Sequence, residues 1–205
     1  MATVTAYNAA FFEYVTDESL QSARVMLPWV LERTKAKSVI DVGCGSGAWA
    51  SVAKAHGCTV RGTDNFVPED HLLIDPAEFS RQDLTRSFDC EGYDLAICLE
   101  VGEHLPVSVS QGLVAGLCSA KAVFFGAAVP GQGGVDHITE RWQSYWAALF
   151  ADHGYTGDCR VRWQFWDDKR VAVYYRQNVA IYTPGSGSGV FDVVHPEMWS
   201  LRVGL

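Results

Sequence analysis

The sequence predicts an α/β fold, a single domain built on a doubly wound, mostly parallel seven-stranded sheet with helices on both faces. Three observations carry this expectation. Apolar runs of strand length alternate with segments of helical periodicity. A glycine-rich turn joins the first such strand to the helix that follows it. The 205 residues supply one core and little beyond it. Within that domain the pattern separates an N-terminal helical cap (1–35), a cofactor-binding core (36–183), and a flexible connector with a C-terminal tail (184–205).

The elements follow in order. Leu20 to Glu32 has helical spacing, and Ser38-Val39-Ile40-Asp41-Val42, bounded by Lys37 and Gly43, is a buried strand. A second helix runs from Trp49 to Ala55 until His56-Gly57 stops it, and Cys58 to Thr63 forms a strand ending at Asp64. Together these make a βαβ unit. Asp94 to Leu99 is a further strand, Pro106 to Cys118 a helix, and Lys121 to Gly126 another strand. Between Glu140 and Asp152, Trp142, Tyr145, Trp146, Leu149 and Phe150 recur at i, i+3, i+4, i+7 and i+8, which predicts a helix with its stripe in the core. Arg160 to Trp166 and Val171 to Tyr182 alternate around Asp167-Asp168-Lys169, predicting an antiparallel pair that closes the sheet. Pro184 to Gly189 is a glycine-serine connector, and the tail after it carries His195-Pro196 and Trp199.

Composition narrows the function. Hydrophobic residues make up 48% and charged ones 20%, with no apolar run approaching the roughly 20 residues that span a bilayer. Glu13, Asp17 and Glu18 near the start do not fit a secretory signal, so the expectation is a cytoplasmic protein with no membrane partner. The formal charge is −8 and the basic residues are scattered, which argues against nucleic acid and for a small or cationic substrate. Six cysteines without a CxxC pair read as reduced structural thiols.

The sharpest motif is Asp41-Val42-Gly43-Cys44-Gly45-Ser46-Gly47 at a strand-to-helix turn, where missing side chains let a ligand approach the backbone. Its spacing is GxGxG rather than the GxGxxG of dinucleotide folds, and Asp41 precedes it by two residues. An acidic turn suits S-adenosylmethionine, which carries an ammonium and a sulfonium but no pyrophosphate. Asp64, closing the second strand, is positioned to accept hydrogen bonds from ribose hydroxyls. Asp83, next to Leu84, is the candidate for the adenine amino group, with helix capping as its alternative.

The segments VIDVGCGSGAW (39–49), GTD (62–64), QDL (82–84), YDLAICLEVGEHLP (93–106) and VFFGAA (123–128) together resemble the class I S-adenosylmethionine-dependent methyltransferase family over about residues 36–183. The resemblance implies a Rossmann-like fold with the cofactor across the carboxyl ends of the strands. It puts Asp41, Gly43, Cys44, Gly45 and Ser46 in the cofactor-binding turn, with the methionyl part near Gly43, Gly45 and Ser46. Asp64 and Asn65 would hold the ribose, Asp83 and Leu84 would frame the adenine, and Glu100 and Val101 would sit beside the sulfonium.

Glu100-Val101-Gly102-Glu103-His104 also matches the ExxEH pattern of metal-dependent members, such as the quinone-biosynthesis and small-RNA terminal methyltransferases. In those enzymes a further histidine arrives from the loop after the next strand, where His137 stands here. Spacings of three and four would bring Glu100, Glu103 and His104 to one side of a helical turn. With His137 they would suit magnesium, manganese or zinc. Two alternatives stand beside this: His104 or His137 as a metal-free general base with Glu103 nearby, or a purely structural turn.

Tyr7, Phe11, Phe12 and Tyr14 suggest either a lid over the methyl group or an ordinary amphipathic helix, and Gly131-Gln132-Gly133-Gly134 a loop able to close on substrate. DHITERWQSYW (136–146) and YYRQNVAIY (174–182) resemble a group of uncharacterised bacterial and phage methyltransferases. Arg141 and Trp142 would bind an acidic or aromatic acceptor if they faced the pocket. The expected activity is methyl transfer to oxygen or nitrogen of a small-molecule, natural-product, sugar or peptide acceptor. An NAD-binding oxidoreductase and a catalytically silent adenosylmethionine-binding partner protein are the alternatives.

Overall fold

The apolar runs pair side by side. The computed structural model describes residues 9–185 and 187–204. In it β1 (Ser38–Val42), β2 (Thr59–Asp64), β3 (Phe79–Arg81), β4 (Leu95–Leu99), β5 (Ala122–Gly126), β6 (Tyr155–Asp158) and β7 (Ala180–Pro184) form one sheet in the order β3-β2-β1-β4-β5-β7-β6. Only β7 breaks the parallel arrangement, running antiparallel to both β5 and β6. The three-residue β3 and the β6 strand, both unexpected from the sequence, carry too few apolar residues to stand out as runs.

A parallel sheet buries both its faces, and here alternate strand residues point into two apolar clusters. Val39, Leu95, Ile97 and Phe124 meet α1 (Ala9–Thr34), α2 (Ala48–Ala55), α5 (Arg160–Phe165) and α6 (Val173–Asn178). Ile40, Ala96, Cys98, Val123 and Phe125 meet α3 (Ser110–Leu117) and α4 (Gln143–Asp152) on the opposite side. The Phe125 ring lies 5.0 Å from Trp146 and 5.3 Å from Phe150, and Phe150 stacks on Tyr182 at 3.8 Å. α1 is longer than predicted and buries Ala23, Met26, Leu27 and Val30 completely, one face of a helix by their spacing. Of the expected lid residues, Tyr7 and the side chains of Phe11, Phe12 and Tyr14 lie outside the described residues. No helix among the described residues is long and apolar enough to cross a membrane, and all six cysteines are free thiols.

Two expectations are corrected. Arg160 to Trp166 and Val171 to Tyr182 are not a strand pair: the first is helix α5 and the second is α6 followed by β7. The apparent alternation came from counting Arg162 and Arg176 as solvent-facing, whereas they are 0% and 1% exposed. The Arg176 guanidinium donates to the carbonyls of Val171 (2.9 Å) and Trp166 (2.8 Å) and pairs with Glu197, so a cation is spent on capping backbone inside the fold. Trp142 is the second correction. It precedes α4 rather than joining its stripe, and is 41% exposed, while Trp146 and Phe150 are buried.

Residues 190–204 fold back onto the core. Arg162 Nη1 donates to the Phe191 carbonyl (2.8 Å), Ser144 to Asp192, Gln143 to the Val193 carbonyl (2.9 Å), and the His195 N–H to Gln177 Oε1 (2.8 Å). α7 (Pro196–Val203) then ends with Arg202 Nε on the Gly131 carbonyl at 2.6 Å. The glycine-serine stretch before it is also bonded, through Gly189 N–H to the Gly157 carbonyl and Ser188 to Asp158.

Arg176→Ala strips two buried carbonyls and Glu197 of a partner and lowers the unfolding free energy by about 3–5 kcal/mol. Arg170→Ala removes an exposed guanidinium paired only with Asp168 and leaves the urea midpoint essentially unchanged. Urea unfolding of the two variants side by side checks both.

Candidate active site

β1 and β4 are neighbours, and the chain leaves β1 for α2 on one face of the sheet and β4 for α3 on the other. Connections that diverge in this way open a crevice at the carboxyl ends of the strands. A cleft of about 560 Å³ lies there, lined by the turns after β1, β2, β3, β4 and β5 and by side chains of α1 and α6.

The turn after β1 sets its floor. Gly43, Gly45 and Gly47 take φ of 72°, 52° and 80°, the left-handed region that only glycine enters cheaply. A Cβ on Gly43 would fall 2.5 Å from Val101 Cγ2, whereas one on Gly45 would meet nothing within 4 Å. The first glycine therefore permits a close approach between two turns, and the second leaves open space for a ligand. Gly43 and Cys44 donate their N–H groups to the Thr63 carbonyl at 2.8 and 3.0 Å, tying the turn to β2. Asp41, 3% exposed, accepts from the Ala50 N–H at 3.2 Å, and burial pushes its carboxyl up to about 7.

Asp64 receives the Gly45 N–H on Oδ2 (3.1 Å) and those of Phe66 and Val67 on Oδ1 (2.7 and 3.1 Å). Oδ1 has both its lone pairs engaged, whereas Oδ2 retains one, and Asp64 lines the cleft together with Asn65. Asp83 accepts from the Thr85 hydroxyl and N–H and pairs with Arg86, and these bonds, the hydroxyl's first, draw its carboxyl below the usual range. It and buried Leu84 both line the cleft, and the alternative of helix capping is corrected: no helix follows Asp83, whose bonds to Thr85 close a turn.

The turn after β4 carries the chemistry. Glu100 has φ 55° and is followed by a tight turn over Gly102–His104. Gly102 is required there because a Cβ would sit 2.8 Å from the Trp146 ring. The Glu100 carboxylate accepts from Asn178 Nδ2 (2.9 Å) and Gln132 Nε2 (3.0 Å). Glu103 is fully buried and neither of its oxygens has a hydrogen-bond partner among the described residues, nor has His104 Nδ1. One ligand atom from each of Glu103, His104 and His137 falls within 4.8 Å of the others. Glu100 is not in that trio, and two amides hold its carboxylate beside the Glu103 carboxyl. Burial, then the neighbouring Glu100, pushes the Glu103 carboxyl well above its ordinary value. Burial lowers His104, and His137 beside it, ring centroids 4.9 Å apart, lowers it further.

His137 is aimed by a residue that sequence reasoning missed. Its Nδ1 lies 3.1 Å from Glu140 Oε1, and Glu140 also accepts the N–H groups of Gly131 (2.7 Å) and Gly133 (2.5 Å). Burial alone would raise the Glu140 carboxyl, but these bonds together hold it low. A carboxylate on one imidazole nitrogen leaves Nε2 directed at the work. Asn178, Gln177, Tyr174, Tyr175 and Glu18 were missed as well. The signal for two of them, Gln177 and Asn178, was the polar run Arg176-Gln177-Asn178 inside an otherwise apolar segment. Arg141 and Trp142 are not among the residues lining the cleft.

A family model described as a methyltransferase domain matches residues 14–117, about half of the chain. A ubiquinone biosynthesis O-methyltransferase of Pseudomonas savastanoi pv. phaseolicola is 32% identical over 90 residues, 38% of this chain and 38% of that protein. The chain thus spans well under half the length of the curated relatives it matches. Among solved structures, the methyltransferase domain of bacterial CtHen1-C has 21% identity and a TM-score of 0.57, covering 82% of this chain and 100% of that one. DesVI of Streptomyces venezuelae has 14% identity and a TM-score of 0.63, covering 87% and 99%. At such identities these two likenesses speak for the fold.

Gly45→Ala bears only the left-handed backbone cost, about 1–2 kcal/mol. Gly43→Ala costs more because Val101 must move, and the Gly43→Ala/Val101→Ala double variant loses less than the sum of its singles by urea unfolding.

Asp41 predicts a pH dependence. Its folded pKa of about 7 lies above the ordinary 3.8, so the folded state holds the proton more tightly and ionisation opposes folding. The unfolding free energy of the wild type relative to Asp41→Asn is highest below pH 4, falls as pH rises from 4 to 7, and is flat above. Parallel denaturation of the two proteins across that range measures it.

Proposed function

Because this chain belongs to the methyltransferase-domain family, we propose that it binds S-adenosylmethionine and transfers the methyl group to an oxygen or nitrogen of a small-molecule acceptor. One observation carries the reading: a side-chain-free glycine turn and a buried carboxyl-imidazole cluster open into the same cleft. Strands that diverge to helices on both faces, with the order turning at β1 and β4, support the doubly wound arrangement in which ligands take this position.

The residues fit the cofactor. Open space at Gly45, with Asp41, Gly43, Cys44 and Ser46 around it, suits the methionyl part, and the remaining lone pair on Asp64 Oδ2, with Asn65, suits the ribose. Asp83 and Leu84 flank the adenine position, and Glu100 and Val101 the sulfonium. S-adenosylmethionine supplies an electrophilic methyl group. The protein must align the acceptor opposite the sulfur and exclude water. Leu105, Pro106, Tyr174 and Tyr175 give the acceptor side apolar walls.

His104 is kept neutral at pH 7 by burial and by His137, so its imidazole can receive the proton released by the acceptor. His137, turned by Glu140, presents Nε2 to the same region. Glu103, His104 and His137 would also hold a divalent cation, whose contribution when bound is to lower the pKa of an acceptor hydroxyl. Among the described residues the Glu103 oxygens and His104 Nδ1 have no hydrogen-bond partner, which favours this second reading.

Calorimetry with S-adenosylmethionine, before and after EDTA and with magnesium, manganese or zinc added back, tests both. Micromolar cofactor affinity is expected, lowered at least about tenfold in Asp64→Ala, which loses one charge-assisted contact. Absence of cofactor binding would sink the central reading. Binding of no metal by the wild type would leave His104 and His137 as the proton acceptors.

A further inference from the structure

The tail carries a buried histidine that the cleft does not use. His195 stands immediately before α7, is 4% exposed, and has a partner on each ring nitrogen. Nδ1 accepts the Glu197 N–H at 3.1 Å and so caps the first turn of the helix. Nε2 lies 2.8 Å from the Trp166 carbonyl oxygen. An amide N–H can only donate and a carbonyl can only accept, so the two partners together fix the ring as the neutral Nε2–H tautomer.

The surroundings oppose a second proton. On α6, Arg176 Nη1 donates to the same Trp166 carbonyl at 2.8 Å and stands 3.4 Å from His195 Nε2. Lys169, in the connection between α5 and α6, and Arg176 both pair with Glu197 of α7, so two cations and one carboxylate face the imidazole. The Trp166 ring packs on it with centroids 4.4 Å apart. Burial first, then Arg176 and Lys169, hold the ring below its ordinary 6.5 against the opposing pull of the Trp166 carbonyl and Glu197. A proton on Nδ1 would meet the Glu197 N–H instead of accepting it, so the cap is lost as a third positive charge enters.

We propose that His195 is an acid-released latch: neutral, it seats α7 on the core, and protonated, it lets the helix undock. Arg202 of α7 holds the Gly131 carbonyl at the lip of the cleft, so release is felt there too. Once undocked, the ring regains its ordinary value. Seating is therefore strongest above about pH 7 and weakens as the pH falls from 6.5 toward the lower value of the docked ring.

Hydrogen exchange read by mass spectrometry on the full-length protein, corrected for the intrinsic pH dependence of exchange, tests the latch. Opening of α7 is expected to rise at least about fivefold between about pH 7.5 and about pH 5, with residues 131–137 following and β4 unmoved. His195→Asn keeps an N-cap acceptor that does not titrate, and is expected to hold α7 within about twofold over the same range. A wild type whose α7 is indifferent to pH, a rise shared equally by β4, a lip that stays closed while α7 opens, or a rise that survives in His195→Asn would each overturn the proposal. Should His195→Asn leave α7 unseated already at neutral pH, isotope-edited NMR of the wild-type ring decides. An Nε2–H tautomer that titrates below 6.5 in step with the α7 amides supports the latch, and an Nδ1–H tautomer, or α7 amides that move at a different pH, overturns it.

Discussion

The turn after β1 and the turn after β4 touch where Gly43 has no side chain, its backbone lying against the Val101 methyl groups. Two parallel strands whose connections leave on opposite faces would otherwise part into an open trough. This contact narrows the trough to a cleft and fixes the depth at which the glycine peptides stand below the wall. Val101 also heads the tight turn over Gly102–His104, so the same contact locates Glu103 and His104. The strained backbone at Glu100, φ 55°, is held by its N–H on the Gly126 carbonyl and by amides on both carboxylate oxygens. The floor and the reactive wall are thereby one construction.

Burial then sets the electrical state of that wall. It raises the acids Glu103 and Asp41 and lowers the base His104, each toward its uncharged form. A cation brought against Glu103 reverses the preference, because the ionised form gains a partner it otherwise lacks. Glu103 and His104 are thus both biased toward their uncharged forms, while Glu140, with its three donors, is held toward ionisation. The His104 imidazole, poised this way, accepts a proton without first losing one.

The strands that make the floor were legible because Ser38–Val42, Leu95–Leu99 and Ala122–Gly126 lie inside the sheet and are apolar apart from Ser38 and Asp41. The glycine turn was legible for the same reason, since an absence of side chains is itself a sequence feature. What escaped were residues whose burial depends on long-range pairing. Arg162 and Arg176 look like surface cations until Phe191, Trp166 and Val171 offer them carbonyls, and this turned two helices into apparent strands. Glu140, Gln132 and Asn178 act through partners up to 78 residues away in the chain. Periodicity reports which way a side chain faces, not which distant atom it meets.

The tail helix has one more consequence. Arg202 holds the Gly131 carbonyl, Gln177 receives the His195 N–H and donates to Gln132, and Gln132 reaches Glu100, so the lip of the cleft and α7 share one set of bonds. Coupling of this kind is reciprocal. Whatever free energy a ligand contributes to ordering residues 131–137 it also contributes to seating α7, and whatever loosens α7 is felt as weaker affinity at the lip. Sequence drift in the tail is therefore answerable to ligand binding, although no described residue of the tail lines the cleft.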